Sequence, residues 1–402
     1  MTDDIKLINL GKVARFSEDR INSSDLTTEN YTGTDNILQN KRGRENSVYV
    51  PDSGSTTGYQ GNDILVANIR PYLQKIWFAD GSGGSSADVS VLRVFDSGYN
   101  SKFVYYNLFQ DIFFDFAMKG AKGSKMPRLD KKQILGFPIY DTGINDQVAI
   151  ATILDKLDQK ITLNNKINDK LDKLVRVLYD YWFTQFDYPD KDGRPYASSG
   201  GEKVYSHELK QEIPVGWEVK KLIDLFEFDK GSEPGSSAYS EISTSEQSVK
   251  FYRVGDIDGN SKTFIEESGY ILTKVMPGDV VVTFDGTVGK MGISLNGAIS
   301  GGLRHIYDKT NTISNASVWA IFGDPRIQAS IHKYATGSVL LHASSSIEHL
   351  SMAYNVDVLK AFQEIIQPMY DQIVLNIIES AELADLRDWL IPMLMTGQVK
   401  VS

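Results

Sequence analysis

Three short stretches set basic side chains among glycines and turn formers, an arrangement suited to gripping phosphate. "NKRGREN" (Asn40–Asn46) brings Lys41, Arg42 and Arg44 within four residues. "NIRPYLQK" (Asn68–Lys75) places Arg70, Tyr72 and Lys75 just after a strand-like run. "MKGAKGSKMPR" (Met118–Arg128) spreads Lys119, Lys122, Lys125 and Arg128 among glycines, which let a backbone approach closely. The second half holds thinner counterparts in Arg253, Lys290, Arg304, His305 and His342. Taken singly, each of these is a solvated surface charge. Taken as a set on repeated domains, Lys41, Arg42, Arg44, Arg70, Tyr72, Lys122, Lys125, Arg128, Arg253, Lys290, Arg304, His305 and His342 are candidate nucleic-acid contacts.

Residues for bond-making chemistry are missing by comparison. "DGTVGKMG" (Asp285–Gly292) imitates a phosphate loop but has the wrong spacing, with Met291 where a hydroxyl would bind magnesium. No G-x-G-x-x-G follows a strand, and no Asn/Asp-Pro-Pro-aromatic tetrapeptide of amino-group methyltransferases occurs. Pro189–Asp190 with Glu218-Val-Lys220 forms a nuclease-like carboxylate string of the kind that arises by chance, and its first half falls in a linker. The histidines (His207, His305, His332, His342, His349) are scattered without metal-ligand spacing. The serines of Ala343–Ser346 lack a nucleophile elbow and read as a helix cap. The expectation is a chain that catalyses nothing and holds neither metal nor cofactor.

The chain has 402 residues, 41% apolar and 23% charged, ordinary for a globular protein with two or three domains. It has no cysteine, which removes disulfide and thiolate chemistry. MTDDIKLINL lacks a basic region followed by an apolar stretch, and no apolar run nears the roughly 18 residues of a membrane span. A cytoplasmic location with no membrane partner is expected. The net charge of −10 opposes phosphate binding, but it is unevenly spread. Residues 1–143 carry 17 basic and 17 acidic groups, whereas residues 361–402 carry 2 and 6. A binding face is therefore compatible with the first domain.

The elements that must position these loops are stated twice. Ala149–Phe183 overlays Ala361–Met395 without a gap at a shift of 212, matching Ile153 to Ile365, Asn164 to Asn376 and Leu174 to Leu386. Upstream, "KLINL" (Lys6–Leu10) answers "KLIDL" (Lys221–Leu225), "NDILV" (Asn62–Val66) answers "GDVVV" (Gly278–Val282), and "KGSKM" (Lys122–Met126) answers "TGSVL" (Thr336–Leu340). A 4-3 stripe runs through Ile150, Leu154, Leu157, Ile161, Asn164, Asn168, Leu171, Val175, Leu178 and Trp182. Its second copy includes Ile373, Asn376, Leu383, Arg387 and Leu390. Spacing of 3.5 over about five heptads predicts coiled-coil helices of roughly 50 to 60 Å, with Asn164 and Asn376 fixing register. Pro368 and Pro392 predict a late start, kink or frayed end in the second.

The globular segments read as mixed α and β. Expected strands are Ser47–Pro51, Asp63–Ile69, Asp88–Phe95, Asp279–Phe284 and Ser317–Phe322. "SKFVYYNLFQDIFFDFAM" and "PRIQASIHKYA" are expected helices, and Phe186–Trp217 an ordered-to-loose linker. The boundaries are a first domain at 1–143, a helix at 144–186, a linker at 187–216, a second domain at 217–360 and a second helix at 361–402. The fold class is α/β (mixed α+β), a pseudo-two-fold tandem of two globular domains and two long helices.

The first helical region, "NDQVAIATILDKLDQKITLNNKINDKLDKLVRVLYDYWFTQFDYPD" with "GRPYASSGG" and "EIPVGW", resembles the central region of type I restriction–modification specificity subunits. "LADLRDWLIPMLMTGQVKV" resembles that family's closing helix, so the resemblance spans the whole chain. It implies two target-recognition domains, each reading half of a split site in double-stranded DNA, held apart by two antiparallel helices. It further implies that the helices dock methyltransferase subunits, that a restriction subunit joins, and that S-adenosylmethionine, ATP and magnesium belong to those partners. The reading from a different class is a coiled-coil scaffold presenting two protein-binding domains.

Overall fold

The heptad stripe folds into two long helices, Ile144–Tyr179 and Val356–Met395. A π-helical turn, Asp180–Thr184, ends the first. The second begins ahead of residue 361 and passes through both prolines unbroken. Pro368 and Pro392 lie on its exposed side with Glu364 and Asp388, whose carbonyls lose their helical donors and can turn to water. This computed structural model describes residues 6–121, 123, 125–338 and 341–401.

The compact units do not follow the boundaries drawn from sequence. One runs to Lys160 and takes in the chain from Glu382; the other is Ile161–Ala381, so the division falls within both helices. Each unit holds the start of one helix and the end of the other. In the first unit Ile150, Ala151 and Leu154 join Ile391, Leu394 and Met395 in one core with Phe103, Tyr106, Phe109 and Phe113. In the second, Val175, Tyr179, Trp182 and Phe183 pack with Phe362, Ile366 and Ile373.

Both units are built on one plan. The first holds an antiparallel sheet in the order Ala14–Phe16, Val89–Val94, Ile64–Ala67, Ile76–Phe78. The second repeats it as Phe226–Lys230, Leu303–Asp308, Val280–Thr283, Met291–Gly292. A two-stranded ladder closes each: Leu7–Asn9 with Pro138–Tyr140, and Glu218–Lys221 with Ser351–Tyr354. The other four-stranded sheets differ. Ser55–Tyr59 runs antiparallel to Gly83–Ser85, whereas Ser248–Tyr252 runs parallel to Gly297–Ile299.

Four local expectations are corrected. Ser47–Pro51 forms no strand. Ser317–Phe322 belongs to a helix, Asn315–Phe322, almost wholly buried; a short apolar run has no periodicity with which to choose between strand and buried helix. The helix drawn over 101–118 is two, Ser101–Phe109 and Asp111–Lys119, separated by Gln110 in an extended conformation. The linker is ordered. Lys203–Ser206 pairs with Gln211–Pro214, and Tyr188 stacks on Tyr196 at 4.9 Å while Tyr188 and Phe186 contact Trp217.

Candidate functional site

In the first unit the three basic stretches converge on one hairpin loop. Asn68–Lys75 joins the strands Ile64–Ala67 and Ile76–Phe78. Within it the turn Pro71–Leu73 is flanked by Arg70 and Gln74, both left-handed at φ 52° and 51°. The Arg70 amide donates to the Pro127 carbonyl at 2.8 Å, and Ile69 bridges Arg128. On the other side the amides of Asn40 and Lys41 donate to the carbonyls of Leu73 and Gln74, at 2.8 and 2.9 Å. The backbone thus ties together loops far apart in sequence.

Their cations are engaged unequally. Lys41 pairs with Asp111 at 2.7 Å and is nearly buried over Phe109. Arg42 donates to the Gln39 carbonyl at 3.2 Å, and Arg44 to the carbonyls of Glu29 and Tyr31 while lying over Trp77. Arg128 pairs with Asp88 at 2.5 Å, and Lys75 donates to the Thr34 carbonyl. Burial lowers the Lys75 pKa, a shift that the charges of Asp35 and Glu45 oppose. Arg70 and Lys125 are exposed, and Tyr72 is half-exposed. Lys122 lies outside the described residues.

The second unit repeats the arrangement. Asp285 bridges His342, and the Gly286 amide donates to the Leu341 carbonyl at 2.8 Å, as Arg70 does to Pro127. Gly286 has φ 72°, the left-handed counterpart of Arg70. His342 Nδ1 and Asp285 Oδ1 are 2.7 Å apart; Lys290 pairs with Asp258 at 2.9 Å and Arg253 with Asp256 at 3.5 Å. An open cavity of about 470 Å³ beside them is lined by Glu233, Tyr239, Arg253, Asp256, Asp285 and Gly302.

Two predicted contacts in this unit face inward. Arg304 is 6% exposed and donates to the carbonyls of Gly301 and Leu303 and to Ser344 Oγ, with its pKa lowered by burial. It braces the strand end beneath the loop and is almost wholly withdrawn from solvent. His305 is largely buried; burial lowers its pKa, opposed by Asp279 and Asp229. Charge alone could not distinguish these from surface cations. Their place in the strand Leu303–Asp308 could.

The helices carry a second feature. Asn164 and Asn376 lie buried in the seam of the second unit. Asn164 donates to Glu379 Oε2 at 2.8 Å and Ser380 Oγ at 3.2 Å; Asn376 donates to Asn168 Oδ1 at 2.8 Å. A shift of 212 carries Asn164–Ser380 onto Asn376–Asn168, so the two antiparallel segments are mutually complementary at this layer. Leu171 and Leu178 pack partly buried beside Ile373. Leu157, Ile161 and Leu383 are half-buried, and Leu390 joins the core of the first unit. Sequence gave Arg387 a seam position but no partner. Its guanidinium pairs with Asp158 at 2.6 Å over the Phe109 ring.

Outward-facing apolar side chains also come in equivalent pairs: Ile144 and Val356, Leu163 and Leu375, Leu174 and Leu386, Val177 and Trp389. Scattered exposed apolar residues are ordinary, but the same positions left bare on both repeats form a pattern. Among the described residues no group of three or more His, Asp or Glu is arranged to hold a metal ion, and no helix is long and apolar enough to cross a membrane.

Residues 3–173 match the family model of the type I restriction modification DNA specificity domain. The chain is 26% identical over 320 residues to the type I restriction enzyme MjaIX specificity subunit of Methanocaldococcus jannaschii, covering 76% of this chain and 70% of that one. It is 20% identical to the HindI specificity subunit of Haemophilus influenzae, covering 98% of this chain and all of that one. In fold it is similar to the type I restriction–modification S subunit of M. genitalium, with a TM-score of 0.54 at 14% identity over 98% and 96% of the two chains. A repeated plan of domain and long helix, matched in part or along its length by these relatives, makes the chain similar to type I restriction–modification specificity subunits.

Proposed function

We propose that each β-rich domain reads one half of an asymmetric bipartite DNA site and that the long helices set the spacer and dock methyltransferase subunits. The similarity to type I restriction enzyme specificity subunits supports reading the chain as the DNA sequence-specificity subunit, a non-catalytic part of a restriction–modification complex. The observation carrying the finer reading is the bridged loop built twice, Asn68–Lys75 tied at Arg128 and Phe284–Lys290 tied at His342. Two loops on one scaffold with different side chains suit two different half-sites, as a two-fold dimer suits a palindrome.

The paired apolar positions on the two helices support docking of two copies of one partner, because equivalent surfaces bind equivalent surfaces. S-adenosylmethionine belongs to those methyltransferase subunits, and ATP and magnesium to a restriction subunit where one joins. Sequencing methylated bases in cells with and without this gene tests the reading. A bipartite motif that appears only with the gene is the expected result. Identical methylation in both would refute it, as would methyl transfer by the purified chain alone.

A further inference from the structure

Arg70 occupies a conformation that an arginine adopts at a disadvantage. At φ 52° its Cβ crowds the following carbonyl, a penalty that glycine escapes. The chain holds its own control: Gly286, with the same amide-to-carbonyl bond at the same 2.8 Å, fills the equivalent place in the second unit. The backbone plan therefore accepts glycine, and the first domain carries arginine instead.

No side-chain hydrogen bond or ion pair among the described residues accounts for that choice. Among the described residues the Arg70 guanidinium makes no hydrogen bond or ion pair, although Lys41, Arg44, Lys75 and Arg128 around it are all engaged. The loop is also fixed in direction, pinned by Pro127 at one end and by Asn40 and Lys41 at the other. A phosphate contact needs only positive charge, which exposed Lys125 supplies nearby in an ordinary conformation. A planar fork of donors carried to solvent on a pinned backbone suits a target with two acceptors in fixed geometry.

We propose that Arg70 is a specificity-determining residue that reads a guanine, through its O6 and N7 acceptors, in the half-site of the first domain. This rests on the DNA-reading function above and adds the residue, the base and the domain. Gly286 offers no side chain at the matching place, so the second domain reads its half-site with other groups.

The test uses the complete complex of this chain with its methyltransferase subunit, carrying Arg70→Gly or Arg70→Asn, both of which tolerate the left-handed conformation. Methylated motifs are sequenced and thermal unfolding is recorded. The expected result is that one guanine position in one half-site becomes degenerate, its discrimination falling roughly 10- to 100-fold. The other half-site and the spacer stay unchanged, and the melting temperature of the Gly variant does not fall. An unchanged motif would overturn the proposal. So would uniform weakening at all sequences with a salt slope reduced by about one, the mark of a phosphate contact. A melting temperature lowered in both variants would show that Arg70 serves the fold. If the unaltered complex produces no bipartite motif, the fault lies with the DNA-reading function and not with Arg70.

Discussion

Arg387 is a charged residue in a heptad seam, and its removal tests whether the end of the second helix belongs energetically to the first unit. Its side chain is 11% exposed, paired with Asp158 at 2.6 Å and with Asp388 at 2.8 Å. Asp158 is about one quarter exposed and also accepts a 2.6 Å bond from the Tyr106 hydroxyl. Breaking a fully buried pair costs about 3 to 5 kcal/mol, since one charge is left behind. Asp158 retains Tyr106 and some water, so Arg387→Met should cost about 2 to 3 kcal/mol by the same reasoning. Asp158→Asn leaves Arg387 with the more exposed Asp388 and should cost about 1 to 2 kcal/mol. The double variant leaves no stranded charge and should cost only about 1 to 2 kcal/mol, a coupling near 2 kcal/mol. For a unit of this size each kcal/mol moves the midpoint by about 2 to 4 °C. Calorimetry should show the transition of the first unit falling by about 4 to 12 °C in Arg387→Met and partly recovering in the double variant. Effects that add to within about 0.5 kcal/mol, or a shift confined to the transition of Ile161–Ala381, would refute the assignment.

The polar layer makes a contrasting prediction. Asn164→Leu with Asn376→Leu should raise the melting temperature while producing mixed helix registers, visible as heterogeneous cross-links between engineered cysteines; a single register would remove the register role. His305, whose pKa burial holds below the ordinary value, binds a proton less readily folded than unfolded despite the pull of Asp279 and Asp229. Stability of the second unit should thus be complete above about pH 6.5 and fall as pH drops below it, and His305→Gln should flatten that dependence in pH-scanned unfolding. Four residues inserted near Asn168 lengthen the helix by about 6 Å and leave the stripe about 40° out of phase, whereas two rotate it by roughly 200°. The first variant should methylate half-sites with a longer spacer and the second should lose activity. An unchanged spacer in the first would leave the helices as a docking surface alone.

Much of the architecture was legible because long periodic segments repeat. Asn164, Leu171 and Leu178 announce their helix by spacing, and Asn376 by the shift of 212. The domain partition was not legible, since the docking of Ile391, Leu394 and Met395 beside Phe103 and Phe109 is a contact across most of the chain. Ser317–Phe322 misread as a strand because a wholly buried helix shows no polar face. For the site, basic residue types located the loops but not their roles. Arg304 and His305 share the basic character of Arg70, and their burial in the strand Leu303–Asp308 tells them apart from it. The contrast of Arg70 with Gly286 was present in the sequence, but the equivalence became visible through the bonds to Pro127 and Leu341.

The measurement bearing most directly on the central claim is the methylated motif of a chimera in which residues 1–143 are replaced by the corresponding domain of a similar type I restriction enzyme specificity subunit. Two independent readers on one repeated plan predict a motif with one half-site exchanged and the other half-site unchanged. A motif in which both halves change together, or neither does, would contradict the account.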